Sequence, residues 1–455
     1  MMRFVSYFLF IICGLFVAQV HAQTEMKLTL DECVEVALSN NLTIEQGKYT
    51  VALSEASVDQ ARNRFLPNSS NLSWGISRSV RGPSERQVID ETTGGLINLA
   101  GNESINGGQS IGVGGLTIPI YDGQIIASLA ASKKRLEQQR VTQIGNRYDV
   151  IFFVKQDYFQ LLQTMKLLEV QQERVGVSEE SLRRAETLYE IGSAAILQVA
   201  EAKALLANTK ATLIQRENDV LIARSNLGFT MGLGTDVDVI PSEEDFALEQ
   251  PPYTYDEALK IALDEHPDIL STKYGMLAAK DDYRATKYSL FHPTIRLGMG
   301  SYNWSIGKDE KFGGIEDFFL KNYSYTMSLN VSMPIFNFNT TNNLKQQKLT
   351  YLRSQVQLDQ AKRQKALNVK LRYLNLERFR RQMEAQEIAV EAQEENFKLQ
   401  EEKYNFGGGT FLERLTAQRD LFDARNNLVQ VKYNYLIQMA QLENELGTSS
   451  AENEK

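Results

Sequence analysis

The clearest alternation of apolar and polar residues along the chain runs from Tyr323 to Ile335. Every second residue in this stretch is apolar or aromatic, and small polar residues such as Ser328 and Asn330 lie between them. Successive side chains of a β-strand point to opposite faces, so the pattern predicts a strand with one apolar and one polar face. Its length suits a tilted strand that crosses a bilayer, which needs about 9–11 residues, although the edge of a soluble sheet can have the same pattern.

Most of the chain is an internal duplication, in which several short motifs occur once in each half. The corresponding segments are 30–38 with 255–263, Phe65-Leu66-Pro67 with Phe291-His292-Pro293, and Ile118-Pro119-Ile120-Tyr121 with Met333-Pro334-Ile335-Phe336. A constant spacing of 215 residues separates Pro119 from Pro334, Gly192 from Gly407, and Gly232 from Gly447. One inserted residue would rotate a helix face by about 100°, so this spacing indicates two helical hairpins of equal length.

Both halves predict the same order of elements: a helix, two strands joined by a loop, and a very long helical hairpin. The first repeat, 23–252, consists of a helix from Leu30 to about Phe65, strands 68–80 and 110–121, an exposed loop between them, hairpin 122–232 and an irregular connector 233–252. The second repeat, 253–447, consists of helix 254–290, strands 293–304 and 322–336, and hairpin 340–446, followed by a disordered tail at 448–455. A long helix of about 67 residues would extend about 100 Å. We expect the two shorter helices of each half to stack end to end against the long one.

Residues 1–22 have the pattern of a secretory signal peptide, with Arg3 before an apolar stretch and a small-residue cleavage site at its end. A retained anchor helix is the alternative. Beyond Ala22 no apolar run reaches the length of about 18 residues that a transmembrane helix needs, so insertion into a membrane would require a closed barrel of strands. Cys33 lies on an amphipathic helix, and we expect a small buried side chain there rather than a reactive thiol.

The composition argues against several classes of function. The chain has 455 residues and a formal net charge of −8, a balance that gives no support for nucleic-acid binding. Beyond residue 22 only His266 and His292 remain, and each precedes a proline, as in turns and caps. The sequence has no Ser-His-Asp order, no Cys/His cluster of metal-site spacing and no phosphate-binding glycine motif. It therefore predicts no enzyme, no catalytic residue, no cofactor and no metal.

The need to close the sheet into a barrel determines how many chains we expect in the assembly. Four strands per chain cannot form a barrel by themselves, because small closed barrels need about eight strands. Open strand edges are not tolerated in lipid, so the barrel would be shared between chains, as eight strands in a dimer or twelve in a trimer. Strands that close into a ring would arrange the long helices as a second, coaxial ring. The predicted fold class is thus an α+β membrane protein with a transmembrane end and a long helical end.

Several of these motifs together resemble those of one family. They are the Asp-Glu-Cys and Asp-Glu-Ala helix starts, Phe-x-Pro before each first strand, Ile-Pro-Ile-Tyr-Asp-Gly at 118–123, Tyr404-Asn405-Phe406-Gly407, and Lys432-Tyr433-Asn434-Tyr435-Leu436-Ile437. On these residues the sequence resembles the outer-membrane efflux proteins, the TolC-like channels of tripartite efflux pumps and type I secretion systems. The second strand-to-helix motif departs from the first, since it reads Phe336-Asn337-Phe338-Asn339, and the helix start near Thr340 is correspondingly less defined.

The resemblance implies a homotrimer with a 12-stranded transmembrane β-barrel and a periplasmic α-helical barrel. It implies an outer-membrane export duct that passively conducts substrates, docked by a periplasmic membrane-fusion adaptor and an inner-membrane RND or ABC transporter. The alternative is a soluble periplasmic coiled-coil structural or adaptor-like protein without a membrane barrel. The cargo, the class of pump and the gating trigger are not encoded in any motif that we identify.

The resemblance also implies functional positions, each with a simpler structural explanation. Glu413 aligns with an acidic residue of the periplasmic gate, and Thr416 stands where a second acid is often found; a solvated helix charge is the alternative for Glu413. For the hairpin tips the resemblance implies docking of the adaptor, and the alternative is that these residues only form tight turns. The residues are Gly192, Ser193, Gly407, Gly408 and Gly409. The pattern also predicts a membrane-interface girdle of aromatic residues, with core packing as the alternative: Trp74, Trp304, Tyr302, Tyr323 and Tyr325.

Overall fold

The computed structural model describes residues 24–67, 72–81, 85–89, 92–100, 104–113, 115–234, 237–242, 246, 251–299, 302–307, 323–324, 326–335 and 338–448. The predicted signal peptide at 1–22 lies outside these residues, as does the predicted tail beyond Thr448. Within the described part of the chain, no helix combines the length and the apolar character needed to cross a bilayer.

Long helices dominate the described chain. The helices are α1 (Leu30–Asn40), α2 (Leu42–Asn63), α3 (Gly123–Glu190), α4 (Ile196–Thr230), α5 (Tyr255–Glu265), α6 (Pro267–Phe291), α7 (Phe338–Asn405) and α8 (Phe411–Leu446). The strands are β1 (Thr24–Leu28), β2 (Leu72–Arg81), β3 (Glu85–Ile89), β4 (Leu96–Ala100), β5 (Ser104–Val113), β6 (Leu116–Asp122), β7 (Val237–Pro241), β8 (Thr294–Met299), β9 (Tyr302–Gly307), β10 (Tyr323–Ser324) and β11 (Met327–Ser332). The helices α3 and α7 each have 68 residues, and the equal spacing of the motifs predicts this equality.

The chain separates into two compact units. One comprises residues 1–51, 139–272 and 358–455, and the other comprises residues 52–138 and 273–357.

The first unit is helical and contains the main apolar core. Tyr158 and Leu162 of α3 and Leu227 of α4 are at most 1% exposed there. Cys33 is fully buried in the same core, as the sequence predicts. Burial, and to a lesser extent the neighbouring Glu32 carboxylate, raises the pKa of the Cys33 thiol to about 12. The thiol is therefore protonated and unreactive at neutral pH.

The first helix of each half is broken, which corrects the prediction of single helices over Leu30–Phe65 and 254–290. Asn41 has extended backbone angles (φ −67°, ψ 126°), and its Oδ1 accepts the amide N–H of Thr43 at 2.8 Å. His266 is also extended (φ −63°, ψ 133°) because the ring of the following Pro267 disfavours a helical conformation at this position. Each break starts a new helix, α2 or α6.

The two breaks are the places where helices meet end to end in the first unit. Asn41 Nδ2 donates to the carbonyl oxygen of Thr230, in the last turn of α4, at 2.8 Å. His266 Nε2 lies 3.1 Å from the carbonyl oxygen of Asn444, in the last turn of α8. The end of each returning helix thus contacts the junction between the two short helices of its own half, as the predicted end-to-end stacking requires.

The connector at 233–252 is not wholly irregular, contrary to expectation. Its residues Val237–Pro241 form β7, which pairs in parallel with β1 (Thr24–Leu28). Phe246 packs edge-on against Tyr158 and Phe159, with ring centroids 6.1 and 5.1 Å apart respectively. These contacts attach the connector to the helical core.

The second unit contains two larger sheets. The predicted strands 110–121, 293–304 and 322–336 each contribute to both of them, and Gly114, residues 300–301 and Tyr325, which lie between the two parts, are outside the described residues. The first sheet has the order β10-β9-β5-β2 and the second has the order β11-β8-β6. The prediction of a loop between the first two strands is corrected by the β3–β4 hairpin, which forms inside it.

Candidate functional site

The three-stranded sheet β11-β8-β6 has one apolar and one polar face. The register places apolar residues in rows across it, and these are Leu116 with Met299 and Met327, Ile118 with Leu297 and Leu329, and Ile295 with Val331. Between these rows lie Gly298 with Ser328, Arg296 with Asn330, and Thr294 with Ser332. Because cross-strand partners share a face, the alternation in one strand becomes a two-faced sheet.

The apolar face of this sheet is exposed in the single chain. Met327, Leu329 and Val331 are 65%, 63% and 64% exposed. Just beyond β11, Met333 and Ile335 are 55% and 85% exposed. A contiguous apolar surface of this kind marks contact with lipid or with another protein rather than with water.

The four-stranded sheet aligns four of the five predicted girdle positions. Trp74 pairs with Ile111, Ile111 with Trp304, and Trp304 with Tyr323, so one row crosses all four strands. Tyr302 lies two residues before Trp304 on the same strand and pairs with Val113. Tyr325 lies outside the described residues. The register therefore brings these positions together, as a girdle at one level would require.

The start of α3 is attached to the three-stranded sheet through Asp122. This carboxylate is 5% exposed and accepts the amide N–H groups of Gln124 at 3.0 Å and Ile125 at 3.3 Å. Its other oxygen accepts a hydrogen bond from Arg296 at 3.3 Å. A Cβ at Gly123 would lie 3.1 Å from Cβ of Tyr288. The Asp-Gly pair therefore both caps the helix and allows close packing against α6.

The first hairpin tip turns at Gly192, between α3 and α4. Gly192 has φ of +75°, and no neighbouring atom lies within 4 Å of where its Cβ would be, so backbone conformation rather than space requires glycine here. The amides of Ser193 and Ala194 both donate to the carbonyl of Leu188, at 2.8 and 3.0 Å. Ala195 precedes α4 without any side-chain cap.

The second hairpin tip has the same turn with a different cap. Gly407 also has φ of +75°, and the amide of Gly408 donates to the carbonyl of Lys403 at 3.0 Å. A Cβ at Gly409 would lie 3.2 Å from the backbone nitrogen of Tyr404, a tight contact that glycine avoids. Thr410 forms a capping box with Glu413, in which each side chain accepts the backbone N–H of the other residue, at 3.2 and 2.9 Å.

The predicted gate residue Glu413 thus has a structural role at the start of α8. Its carboxylate accepts the Thr410 amide and lies 3.5 Å from the Lys403 ammonium, with half of its side chain exposed. The Thr410 hydrogen bonds, and secondarily Lys403, lower the pKa of Glu413, so it is ionised at neutral pH. Thr416 lies almost one turn further along the helix and is half-buried.

The two hairpins pack against each other just behind their tips, within the first unit. Phe411 of the second hairpin lies in one apolar cluster with Ala185 and Ala202 of the first. The Tyr404 hydroxyl donates to Gln198 Oε1 at 3.4 Å, which links the two tips directly.

Arg414 is a tip residue that sequence reasoning missed. Only 3% of its side chain is exposed, and its guanidinium donates to Ser181 Oγ of α3 at 3.1 Å and to Glu401 of α7 at 3.2 Å. The guanidinium carbon also lies 6.0 Å from the ring centre of Tyr404. The duplication gave a signal for this site, because the residue 215 positions earlier is the apolar Val199.

The tips also carry large apolar side chains that face water in the single chain. Near the first turn the exposed residues are Tyr189, Ile191, Ile196 and Leu197, and near the second they are Phe406 and Leu412. Phe406 is 89% exposed and Ile191 is 68% exposed. Among the described residues, no group of three or more His, Cys, Asp or Glu side chains is arranged to hold a metal ion.

Comparison with known proteins finds one family and several similar structures. The sequence profile described as "Outer membrane efflux protein" matches residues 33–233 and 258–448. Outer membrane protein TolC of Vibrio cholerae is 23% identical over 86% of this chain and 84% of its own length. Outer membrane efflux protein BepC of Brucella suis is 22% identical over 94% of this chain and 88% of its own. A crystal structure of a membrane protein from Pseudomonas aeruginosa superposes with a TM-score of 0.77 at 18% identity, over 92% of this chain and 93% of the other.

Proposed function

Because the chain belongs to the outer membrane efflux protein family, we propose that it is the outer-membrane exit duct of a tripartite efflux or type I secretion system. The observation that carries this proposal is the three-stranded sheet β11-β8-β6, whose exposed apolar face and small polar face suit lipid on one side and water on the other. The long helices would continue the duct on the periplasmic side. The duct would be passive, with the energy supplied by a separate pump.

A test of membrane insertion separates this function from a soluble periplasmic coiled-coil protein. We expect the full-length protein to fractionate with the outer membrane, to migrate faster on gels before heating than after, and to produce discrete conductance steps in planar lipid bilayers. The matched variants are Leu329→Asp on the exposed apolar face and Asn330→Asp on the polar face of the same strand. Leu329→Asp should reduce assembly in the membrane, because a charged side chain that faces lipid destabilises the barrel, whereas Asn330→Asp should assemble normally. A soluble protein whose yield is the same for both variants would contradict the proposal.

We further propose a homotrimer, in which three copies contribute twelve strands to one barrel. Open edges support this, because β2 and β10 end one sheet and β6 and β11 end the other, among the strands described. Unpaired edges in lipid leave backbone N–H and C=O groups without partners, and closure by neighbouring copies would satisfy them. Exposed apolar side chains along the helices, such as Leu42, Tyr49 and Leu53 on α2, would pack between copies.

The hairpin tips are the proposed docking surface for a periplasmic membrane-fusion adaptor, which would connect the duct to an RND or ABC transporter. The exposed tip residues Ile191 and Phe406 support this role. We expect Ile191→Asp and Phe406→Asp to abolish cross-linking to the adaptor while the assembled channel persists. Ile388→Asp, at a residue of equal exposure far along α7 from the tip, is the control. Unchanged cross-linking in the tip variants, or equal loss in the control, would contradict docking at the tips.

Glu413, with Thr416 one turn away, is the proposed lining of the periplasmic gate. The capping box allows charge and cap to be separated, since glutamine at the third helical position still accepts the Thr410 amide. If the charge lines the aperture, Glu413→Gln should change cation selectivity or block by divalent cations, and Thr410→Ala should not. Identical single-channel recordings for Glu413→Gln and the unmodified protein would remove Glu413 from the gate.

A further inference from the structure

The two junctions between short helices have the same hydrogen-bond plan but are built from different side chains. In the first half, Asn41 Oδ1 accepts the amide N–H of Thr43 at 2.8 Å, and its Nδ2 donates to the last turn of α4 at 2.8 Å. In the second half, His266 Nδ1 accepts the amide N–H of Asp268 at 3.1 Å. Its Nε2 lies 3.1 Å from the Asn444 carbonyl in the last turn of α8. The imidazole therefore takes the place of the carboxamide.

This plan requires one neutral tautomer of His266. The Asp268 amide hydrogen is fixed by the backbone, so Nδ1 must present a lone pair to it. The ring proton then lies on Nε2 and is donated to the Asn444 carbonyl. A carboxamide keeps its acceptor and donor at every ordinary pH, whereas an imidazole loses its acceptor when it binds a second proton.

The charged groups around His266 come from every helix packed on it. Lys365 of α7 is 8% exposed, and its Nζ lies 3.2 Å from His266 Nε2. The same ammonium donates to Glu445 of α8 at 2.9 Å and to Asp268 of α6 at 3.1 Å. Two further charges complete the set: Arg372 of α7 lies 3.9 Å from Glu445, and Asp149 of α3 accepts from the Asn444 side chain at 3.1 Å.

We propose that the α5–α6 junction is a proton-sensitive joint, in which neutral His266 holds the first turn of α6 against the end of α8 and protonated His266 releases it. Protonation at Nδ1 would direct an N–H at the Asp268 N–H and place a second cation beside the Lys365 ammonium. The Asp268 carboxylate, 3.5 Å from Nδ1, offsets part of this cost. The corresponding Asn41 junction has no imidazole, and the position equivalent to Lys365 there is the buried Val150. The Asp157 carboxylate beside it accepts the Thr230 hydroxyl at 2.5 Å, and burial raises the pKa of Asp157, so protonation there favours the closed junction. Acid would therefore loosen the second half of the helical unit and not the first.

The direction in which the pKa of His266 is shifted agrees with this geometry. Burial, followed by the Lys365 charge, lowers the pKa of His266 from its ordinary value of 6.5, although Asp268, Glu445 and the Asn444 carbonyl act in the opposite sense. A lowered pKa means that the opened junction binds more protons than the closed one. The closed state is thus fully favoured above about pH 6.5, and this advantage is lost as the pH falls from 6.5 through the lowered pKa.

Amide hydrogen exchange of the full-length protein in detergent tests the joint, with rates corrected for the intrinsic effect of pH. Between pH 7.5 and 5, we expect the opening equilibrium of amides at the start of α6 to rise by up to about tenfold per pH unit below 6.5. The amides that follow Asn41 should show no such rise. His266→Asn, which copies the first junction, should keep the protection seen at pH 7.5 and abolish its pH dependence.

Two results would contradict the proposed joint. They are an equal pH dependence of amide exchange at the two junctions, or a pH dependence that persists in His266→Asn. A second measurement does not depend on the folding of that variant. Exchange of the imidazole C2 hydrogen reports the pKa of His266 directly in the unmodified protein, with His292 as the internal reference. We expect a midpoint below 6.5 for His266, and a midpoint at or above 6.5 would contradict the proposal.

Discussion

The two hairpin tips have the same backbone conformation but differ in the side-chain contacts that stabilise it. Both turn at a glycine with φ of +75°, and both pack into one apolar cluster. The first tip has Ala195, Gln198 and Val199 where the second has Thr410, Glu413 and Arg414. The second tip has therefore acquired a helix cap, an ion pair and a buried guanidinium that the first lacks.

The helix junctions further along the same unit differ in the same direction. Val150 and Asn41 of the first half correspond to Lys365 and His266 of the second. Apolar contacts respond little to pH, whereas buried ion pairs depend on the protonation of each partner and on the desolvation of their charges. The duplication thus produced two hairpins of one geometry, and at the tip and the junction the second has ionisable side chains where the first has apolar or amide ones.

Removal of Arg414 should have the largest effect on this comparison. Arg414→Ala leaves Glu401 and Ser181 without their buried donor, and breaking a buried ion pair costs about 3 kcal/mol. We expect the lower end of the usual range because Glu401 is 35% exposed and retains Arg184 at 3.8 Å. Amide exchange in the first turns of α8 measures the loss.

Val199→Ala at the corresponding position of the first tip is the matched control, and only the apolar contacts of one side chain are lost there. We expect a cost of about 1 kcal/mol. Equal costs at the two positions would show that Arg414 acts by packing alone.

The turn glycines should be equivalent, because the backbone is the shared part. Gly192→Ala and Gly407→Ala each place a Cβ on a residue with φ of +75°, which costs about 1–2 kcal/mol. Gly408→Ala is the control, since its φ is not positive and its Cβ would make an ordinary contact 3.7 Å from Lys403. Thermal unfolding of the three variants tests the prediction, and a large difference between Gly192→Ala and Gly407→Ala would contradict the shared geometry.

Removing the helix cap of the second tip should lower its stability, and adding a cap to the first tip should raise it. Thr410→Ala removes the side chain that accepts the Glu413 amide, at a cost of about 1 kcal/mol. Ala195→Thr in the first tip adds a cap residue three positions before Gln198, which completes the sequence pattern of a capping box and should stabilise the start of α4 by about 0.5–1 kcal/mol. Amide exchange at the start of α4 and α8 reports each change, and no gain from Ala195→Thr would show that this turn cannot accept a cap.

The smallest effect we expect is an acid response of the second tip. Hydrogen bonds from Thr410 lower the pKa of Glu413 below its ordinary 4.5. Glu413 therefore contributes stability that is complete above about pH 4.5 and is lost as the pH falls through its lowered pKa. Amide exchange at the start of α8 should show this loss, and Glu413→Gln should remove it. The first tip, with Gln198 at the same position, should show none.

The repeated motifs and their periodicity allowed much of the fold to be predicted. The constant spacing between Gly192 and Gly407 gave two hairpins of equal length, and the alternation around Leu329 gave a strand with two unlike faces. The breaks at Asn41 and His266 were missed because helical periodicity continues across them on both sides. Pro267 was a visible signal of the second break, whereas Asn41 carries only a weak one, since asparagine also occurs within helices.

Residues of the candidate site were predictable only where they belong to a turn or to a recognisable motif. Gly192 and Gly407 were found from their place at the tips, whereas Glu413 was found from the family resemblance, and its role in the gate stays a prediction. Arg414 was missed because a charged residue on a helix usually lies in water, and only its position opposite Val199 in the duplication indicates burial. The β3–β4 hairpin was missed because its residues lie in a stretch rich in glycine, asparagine and serine, which is typical of a loop.

The central claim is that each chain supplies one part of a wall that several copies complete. Native mass spectrometry of protein extracted from outer membranes tests it directly, because the mass counts the copies. One full chain of 455 residues has a mass of 51.5 kDa, and we expect a complex of three processed chains that opens as a conducting unit. A single chain as the largest species, stable and dispersed in water, would contradict the account.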